Sequence, residues 1–237
     1  MKTIIKKTNA ILIGLILFAL FMSGCDKCSP VALKTMDLKP TATFTGSSGT
    51  SGSEGWCFSQ GNPPPSSFSA GPGQVMVGFD NFFKPGADPF PCNDLRDTVF
   101  RGNVAFDVSQ FDSVASADLL FDTQNSIERS NGETTGSSPP KSFATVFGTA
   151  TSTSTGKLPF DNEASLPGGQ SIDVGVSSQV RSWVDKSHPN HGFVIAGPTD
   201  LVDSSNPPEN NQAKVSWYGN FKLRIVYNPA QNPHAPQ

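Results

Sequence analysis

The chain has little charge and few of the residues that usually carry chemistry. Only 16% of its 237 residues are Asp, Glu, Lys or Arg, and it holds three His, four Cys, three Trp and two Tyr. No hydrolase serine elbow, phosphate loop, HExxH pair or EF-hand loop occurs, which removes the catalytic and metal classes those motifs announce. A basic excess is missing too. The net charge is −3, and the chain is more acidic still once Lys2, Lys6 and Lys7 are set aside with the N-terminal leader, so the balance argues against a nucleic-acid partner. The apolar run from Ala10 to Met22 falls short of the roughly 20 residues that span a bilayer.

Gly, Pro, Ser, Thr and Phe are abundant, a mixture that fits many short strands joined by turns. Val75, Val77 and Phe79 alternate with their neighbours. Phe100, Gly102, Val104, Phe106 and Val108 do the same, as do Ala117, Leu119 and Phe121. Phe143–Thr149 makes a further strand, followed by a Ser/Thr run at 151–155 that would extend it as an edge; Val215–Trp217 and Phe221–Tyr227 close the set. The most informative stretch is Ser171–Pro198. Ile172, Val174 and Val176 mark a half-buried strand, and Ser177 and Ser178 stand where a helix N-cap would. Val180, Trp183 and Val184 then share one helical face near 177–185, and Phe193–Ala196 resumes as a strand after the turn formers of His188–Gly192. About eight strands and one short helix predict an all-β, two-layer antiparallel β-sandwich.

Lys2, Lys6, Lys7 and the following apolar run form a secretory signal over residues 1–24. It ends in Met22-Ser23-Gly24-Cys25, which resembles a bacterial lipoprotein lipobox. That resemblance implies cleavage before Cys25, a diacylglyceryl thioether on its sulfur, an acylated new amino terminus such as a palmitate would supply, and residence in the cell envelope. Asp26 leaves the choice of membrane open. With Cys25 taken by lipid, export favours a disulfide between Cys57 and Cys92, stabilising by roughly 3 to 4 kcal/mol. Cys28 is then the odd thiol. Residues 25–74 read as a Ser/Gly/Pro-rich tether, 75–229 as the sandwich and 230–237 as a flexible tail.

Two imidazoles, His188 and His191, stand three apart with Asp185 before them, a spacing that could hold zinc or another divalent ion but lacks a clear third ligand. Carboxylates are scattered through strands and turns. They imply no cofactor, leave room for a structural calcium ion, and give no visible catalytic carrier. Loop aromatics are the better lead, because sugars present apolar faces that stack on flat rings; Trp56, Phe58, Phe82 and Phe83 are the candidate ligand-binding residues.

Arg101–Ser109, Ala115–Leu120, Val174–Trp183, Asn190–Ile195 and Leu223–Tyr227 resemble, in order, the DNRLRE-type domain over about residues 75–229. The resemblance implies a jelly-roll sandwich of bacterial surface proteins, some members of which are carbohydrate-binding modules. The long polar insert at 128–141 and the Cys57/Cys92 pair depart from that pattern. The expectation is a membrane-anchored envelope module, not an enzyme, that binds extracellular polysaccharide. The alternative is a structural envelope or matrix protein whose sandwich engages protein partners.

Overall fold

The structure, a computed structural model, describes residues 32–53, 68–84, 94–130, 133–144, 146–152, 160–197 and 212–236. The chain divides after Leu33 into two compact units, and every element below belongs to the second, Lys34–Gln237. Its strands are β1 (Lys34–Leu38), β2 (Ala42–Ser53), β3 (Val75–Lys84), β4 (Asp94–Ala105), β5 (Ser116–Ser130), β6 (Glu133–Gly136), β7 (Val146–Ala150), β8 (Phe160–Ser165), β9 (Ser171–Gly175), β10 (Phe193–Ala196) and β11 (Gln212–Tyr227). Helix α1 is Ser177–Val184, and a 3-10 turn covers Pro229–Gln231. The fold is all-β and antiparallel, as the alternation predicts.

One curled sheet, rather than two separate ones, makes the sandwich-like body. The strand order is β6-β5-β11-β3-β4-β10-β7-β8, with β1 on β11, β2 on β4 and β9 on β5. Strand β3 is the joint. It pairs with β4 only as far as Phe100, after which β4 pairs with β10, and with β11 only as far as Tyr218, after which β11 pairs with β1. Beyond β3 the sheet therefore parts into two facing layers. Leu119, Phe121, Ile172, Leu223 and Ile225 from one meet Val104, Phe147, Phe193 and Ile195 from the other in a single buried cluster. Helix α1 closes its end: Val180 and Trp183 are buried, and the indole lies 4.7 Å from the Phe193 ring centre.

Two irregularities decide which side chains face outward. Opposite Trp217 and Tyr218, β5 supplies Asn125 and Thr123, so Gln124 is an extra residue on β5. Opposite Leu120 and Asp122, β11 supplies Lys222 and Gly219, so β11 carries an extra residue there, and Asn220 adopts φ +58°. Such bulges reverse the alternation. On β11, Val215 and Trp217 join an outer cluster, whereas Phe221, Leu223 and Ile225 point into the core.

Several expectations need correction. Residues 34–53 are not tether: β1 pairs with β11 over five positions and β2 with β4 over twelve. Edge strands need only backbone donors and acceptors, which a Ser/Gly/Thr sequence supplies without apolar alternation. The C-terminal tail is docked as well. Buried Asn232 accepts from the amides of Asp112 and Ser113 at 2.7 and 2.9 Å and donates to Asn228 O, while the Tyr227 hydroxyl donates to Pro236 O. Within the insert, β5 runs on to Ser130 and β6 pairs with it. Strand β7 ends at Ala150 and pairs with β8; Thr151 and Ser152 are not in a strand, and the rest of the Ser/Thr run lies outside the described residues. The helix N-cap is Val176, without a side-chain cap, because the Ser177 hydroxyl accepts instead from the amide of Ala117 on β5. No helix among the described residues is long and apolar enough to cross a membrane.

Candidate functional site

The Gln124 bulge puts two amide side chains, Gln124 and Asn125, side by side and exposed on the outer face of the sheet. Beside them is Trp217, whose indole N–H donates to Ser69 O at 2.8 Å and whose ring meets Phe68 edge-on, 5.8 Å between centres. Met76, Phe100 and Val215 pack with Trp217 in one buried cluster, which fixes the indole, and Ala70 and Ile127 pack on its edges.

The segment Phe68–Gln74 lies on this platform. A turn bonded from the Gln74 amide to Gly71 O returns the chain toward β3, and the Gln74 side chain accepts from the Gly71 amide. The other end of that amide donates to the Gln124 carbonyl oxygen. A groove of about 470 Å³ runs along one flank, lined by Phe68, Ser69, Gln74, Gln124, Asn125 and Trp217. A second, of about 350 Å³, runs along the other flank, where Thr43, Thr45 and Ser47 of β2 face Phe68 and Gln74. Among the described residues neither is lined by a charged side chain. Together they offer amides, hydroxyls and ring edges.

The neighbouring outer face over β1, β11, β5 and β9 is built differently. Lys222 stands across from Leu120 and Asp173, and Arg224 stands between Asp118 and Asp37. Arg224 donates to both Asp37 carboxylate oxygens, at 3.0 and 3.4 Å, which holds that carboxyl below its ordinary range and the guanidinium above its own. Asp122 accepts from Ser171 and Asn220. An open groove of about 810 Å³ crosses this face. In the row Asp37, Arg224 and Asp118 acid and base alternate from strand to strand, the arrangement of a solvated sheet surface.

The residues singled out by sequence fall elsewhere. Asp185, His188 and His191 are not gathered: among the described residues no group of three or more His, Cys, Asp or Glu side chains is placed to hold a metal ion. The cause is local. Asp185 turns back to accept from the Ser187 amide, and hydrogen bonds from the Ser187 hydroxyl and amide lower its pKa. His188 has the Ser187 hydroxyl 3.3 Å from Nδ1 and lines a separate groove with Trp183 and Asp161, while the backbone at His191 is held to Asn103 of β4. Phe82 and Phe83 stand on β3, paired with Arg96 and Leu95, not in a loop. Trp56, Phe58, Cys25, Cys57 and Cys92, like the signal segment, lie outside the described residues.

The alternation in sequence placed Trp217 in a strand and passed over Phe68, Gln74, Gln124 and Asn125. One signal was available: the alternation on β5 stops at Asp122, and a broken alternation followed by renewed pairing marks a bulge. No family model matches the chain, and no curated protein matches it. Fold and groove alone therefore define its class, an all-β antiparallel domain with an uncharged outer groove.

Proposed function

We propose that this chain is a lipid-anchored, non-catalytic module of the cell envelope that binds extracellular polysaccharide. The observation that carries the reading is the uncharged groove beside Phe68 and Trp217. Sugar rings have an apolar C–H face and a rim of hydroxyls that both donate and accept, and the groove sets ring edges beside amides and hydroxyls that do the same. The Met22–Cys25 lipobox pattern and the similarity to DNRLRE-type domains support the anchor and the ligand class.

The test is a pull-down of the detergent-solubilised chain with insoluble polysaccharides, beside Phe68→Ala. Retention of the parent chain and loss in the folded variant are expected; failure of every polymer to retain the parent would remove the reading. Metabolic labelling with a radioactive fatty acid, lost in Cys25→Ala, checks the anchor.

A second reading, a structural subunit engaging protein partners, rests on β2. This twelve-residue strand pairs with β4 along its whole length and with no other strand among the described residues, and it carries neither charge nor proline. Cross-linking in intact cells that captured a protein through β2 cysteine variants would favour it.

A further inference from the structure

We infer that the groove along Phe68–Gln74 selects neutral polysaccharides and rejects those carrying carboxylate or sulfate groups, an inference that rests on the polysaccharide-binding reading above. An anionic sugar that leaves water for a groove needs a cation or several converging donors at each acidic group. Among the described residues the lining has no cation. Three cations of β5 and β11 are engaged: Arg129 is in an ion pair with Asp80, Lys214 lies 3.4 Å from Glu128, and Arg224 holds Asp37. The nearest charge along β5 is negative, Asp122, two residues before Gln124. Its carboxylate disfavours a second anion beside it.

The amides suit hydroxyls instead. The Asn125 carbonyl oxygen accepts from the Ser126 amide, and the Gln124 carbonyl oxygen accepts from Gln74, so on these two groove-lining side chains the amino groups are the ends left to donate. Both side chains are held by bonds at one end, so little rotamer freedom is lost when a ligand takes the other. An exposed hydroxyl of Ser47 and partly exposed ones of Thr43 and Thr45 complete a lining in which every polar group is uncharged.

The experiment is native affinity electrophoresis of the detergent-solubilised full chain through gels containing either neutral polymers (dextran, mannan, xylan, mixed-linkage glucan) or anionic ones (alginate, polygalacturonate, chondroitin sulfate), each at low and high salt. Retardation by at least one neutral polymer, unchanged by salt, is expected. Asn125→Ala and Gln124→Ala should each weaken it by roughly three- to tenfold, the worth of one hydrogen bond, with unchanged melting temperatures, while Lys222→Ala leaves it intact. Retardation by anionic polymers alone, abolished by salt or by Lys222→Ala, would overturn the inference and leave the polysaccharide reading standing. Retardation by none would overturn the reading itself, and the inference with it.

Discussion

The two outer faces of the sheet share strands β5 and β11 yet solve the problem of exposure in opposite ways. Around Arg224 the surface is charged, with Asp37 and Asp118 on the strands to either side, and nearby Lys222 and Asp173 flank Leu120. Around Trp217, Gln124 and Asn125 the surface is neutral and concave, with an aromatic floor covered in part by Phe68–Gln74. The charged face needs no partner, because water and cross-strand neighbours already satisfy it. The neutral face keeps amide donors and ring edges that solvent satisfies less well, which is what a ligand can use. Bulges at Gln124 and near Asn220 mark the border between them.

Ion pairs show the same contrast, and breaking them should give the largest difference. On the outer side of the neutral region Asp80 is fully buried and bonds Arg129 across Ala213, whose methyl group leaves room for the guanidinium to cross. Removing one partner takes the opposite charge of this pair away from a buried group. Asp80→Ala should cost about 3–5 kcal/mol in urea denaturation, and an Asp80→Leu, Arg129→Met double variant should recover most of the loss. Equal costs for the single and double variants would show that shape, not charge, governs the site.

A smaller effect is expected at the inner side of the same strands. Segment Lys141–Ala144 has no regular structure, yet its backbone is satisfied by three side chains. Ser126 accepts from the Lys141 amide, Ser216 accepts from the Phe143 amide and donates to Lys141 O, and the Tyr218 hydroxyl accepts from the Ala144 amide. Burial raises the pKa of that hydroxyl, so it stays protonated and also bonds Ser142. Ser216→Ala and Tyr218→Phe should each cost about 1–3 kcal/mol, because buried amides lose their acceptors. Thermal melts of the two variants check this, and hydrogen exchange should report selective loss of protection at Phe143 and Ala144.

On the groove itself stability should barely move while binding does. Asn125→Ala and Gln124→Ala are surface changes expected within about 0.5 kcal/mol of the parent, so a large drop in stability at either would assign these amides to the fold rather than to a ligand.

The charged face should give the smallest response. Asp37 is about one-third exposed, so Asp37→Asn should lower the melting temperature only slightly and not at all in high salt. Its sign with pH is definite. The folded carboxyl titrates below its unfolded value, so the contribution of Asp37 is present above the unfolded pKa and fades as acid takes the protein through the folded one, below about pH 4. Melts of parent and variant should therefore converge in acid; a gap that widened there would contradict the assignment.

Much of the core was legible because burial imposes a period. The alternation at Val104–Phe106, at Ala117–Phe121 and at Phe221–Tyr227, and the helical spacing of Val180 and Trp183, all end in the inner core, whereas Phe100 joins the outer cluster with Trp217. Strands β1 and β2 were not legible, since an edge strand is held by backbone bonds that any Ser, Gly or Thr can make. The groove was hidden for another reason. It joins Phe68 and Gln74 to residues some fifty and one hundred fifty positions away, as in the bond from Trp217 to Ser69 O across 148 residues. By itself the sequence determined an antiparallel β fold and the one helix that plugs it, because apolar period is a local property of the chain. Only the tertiary structure decided which polar residues meet on one face, because a single inserted residue such as Gln124 reverses every side chain after it, and that reversal shows only against the partner strand.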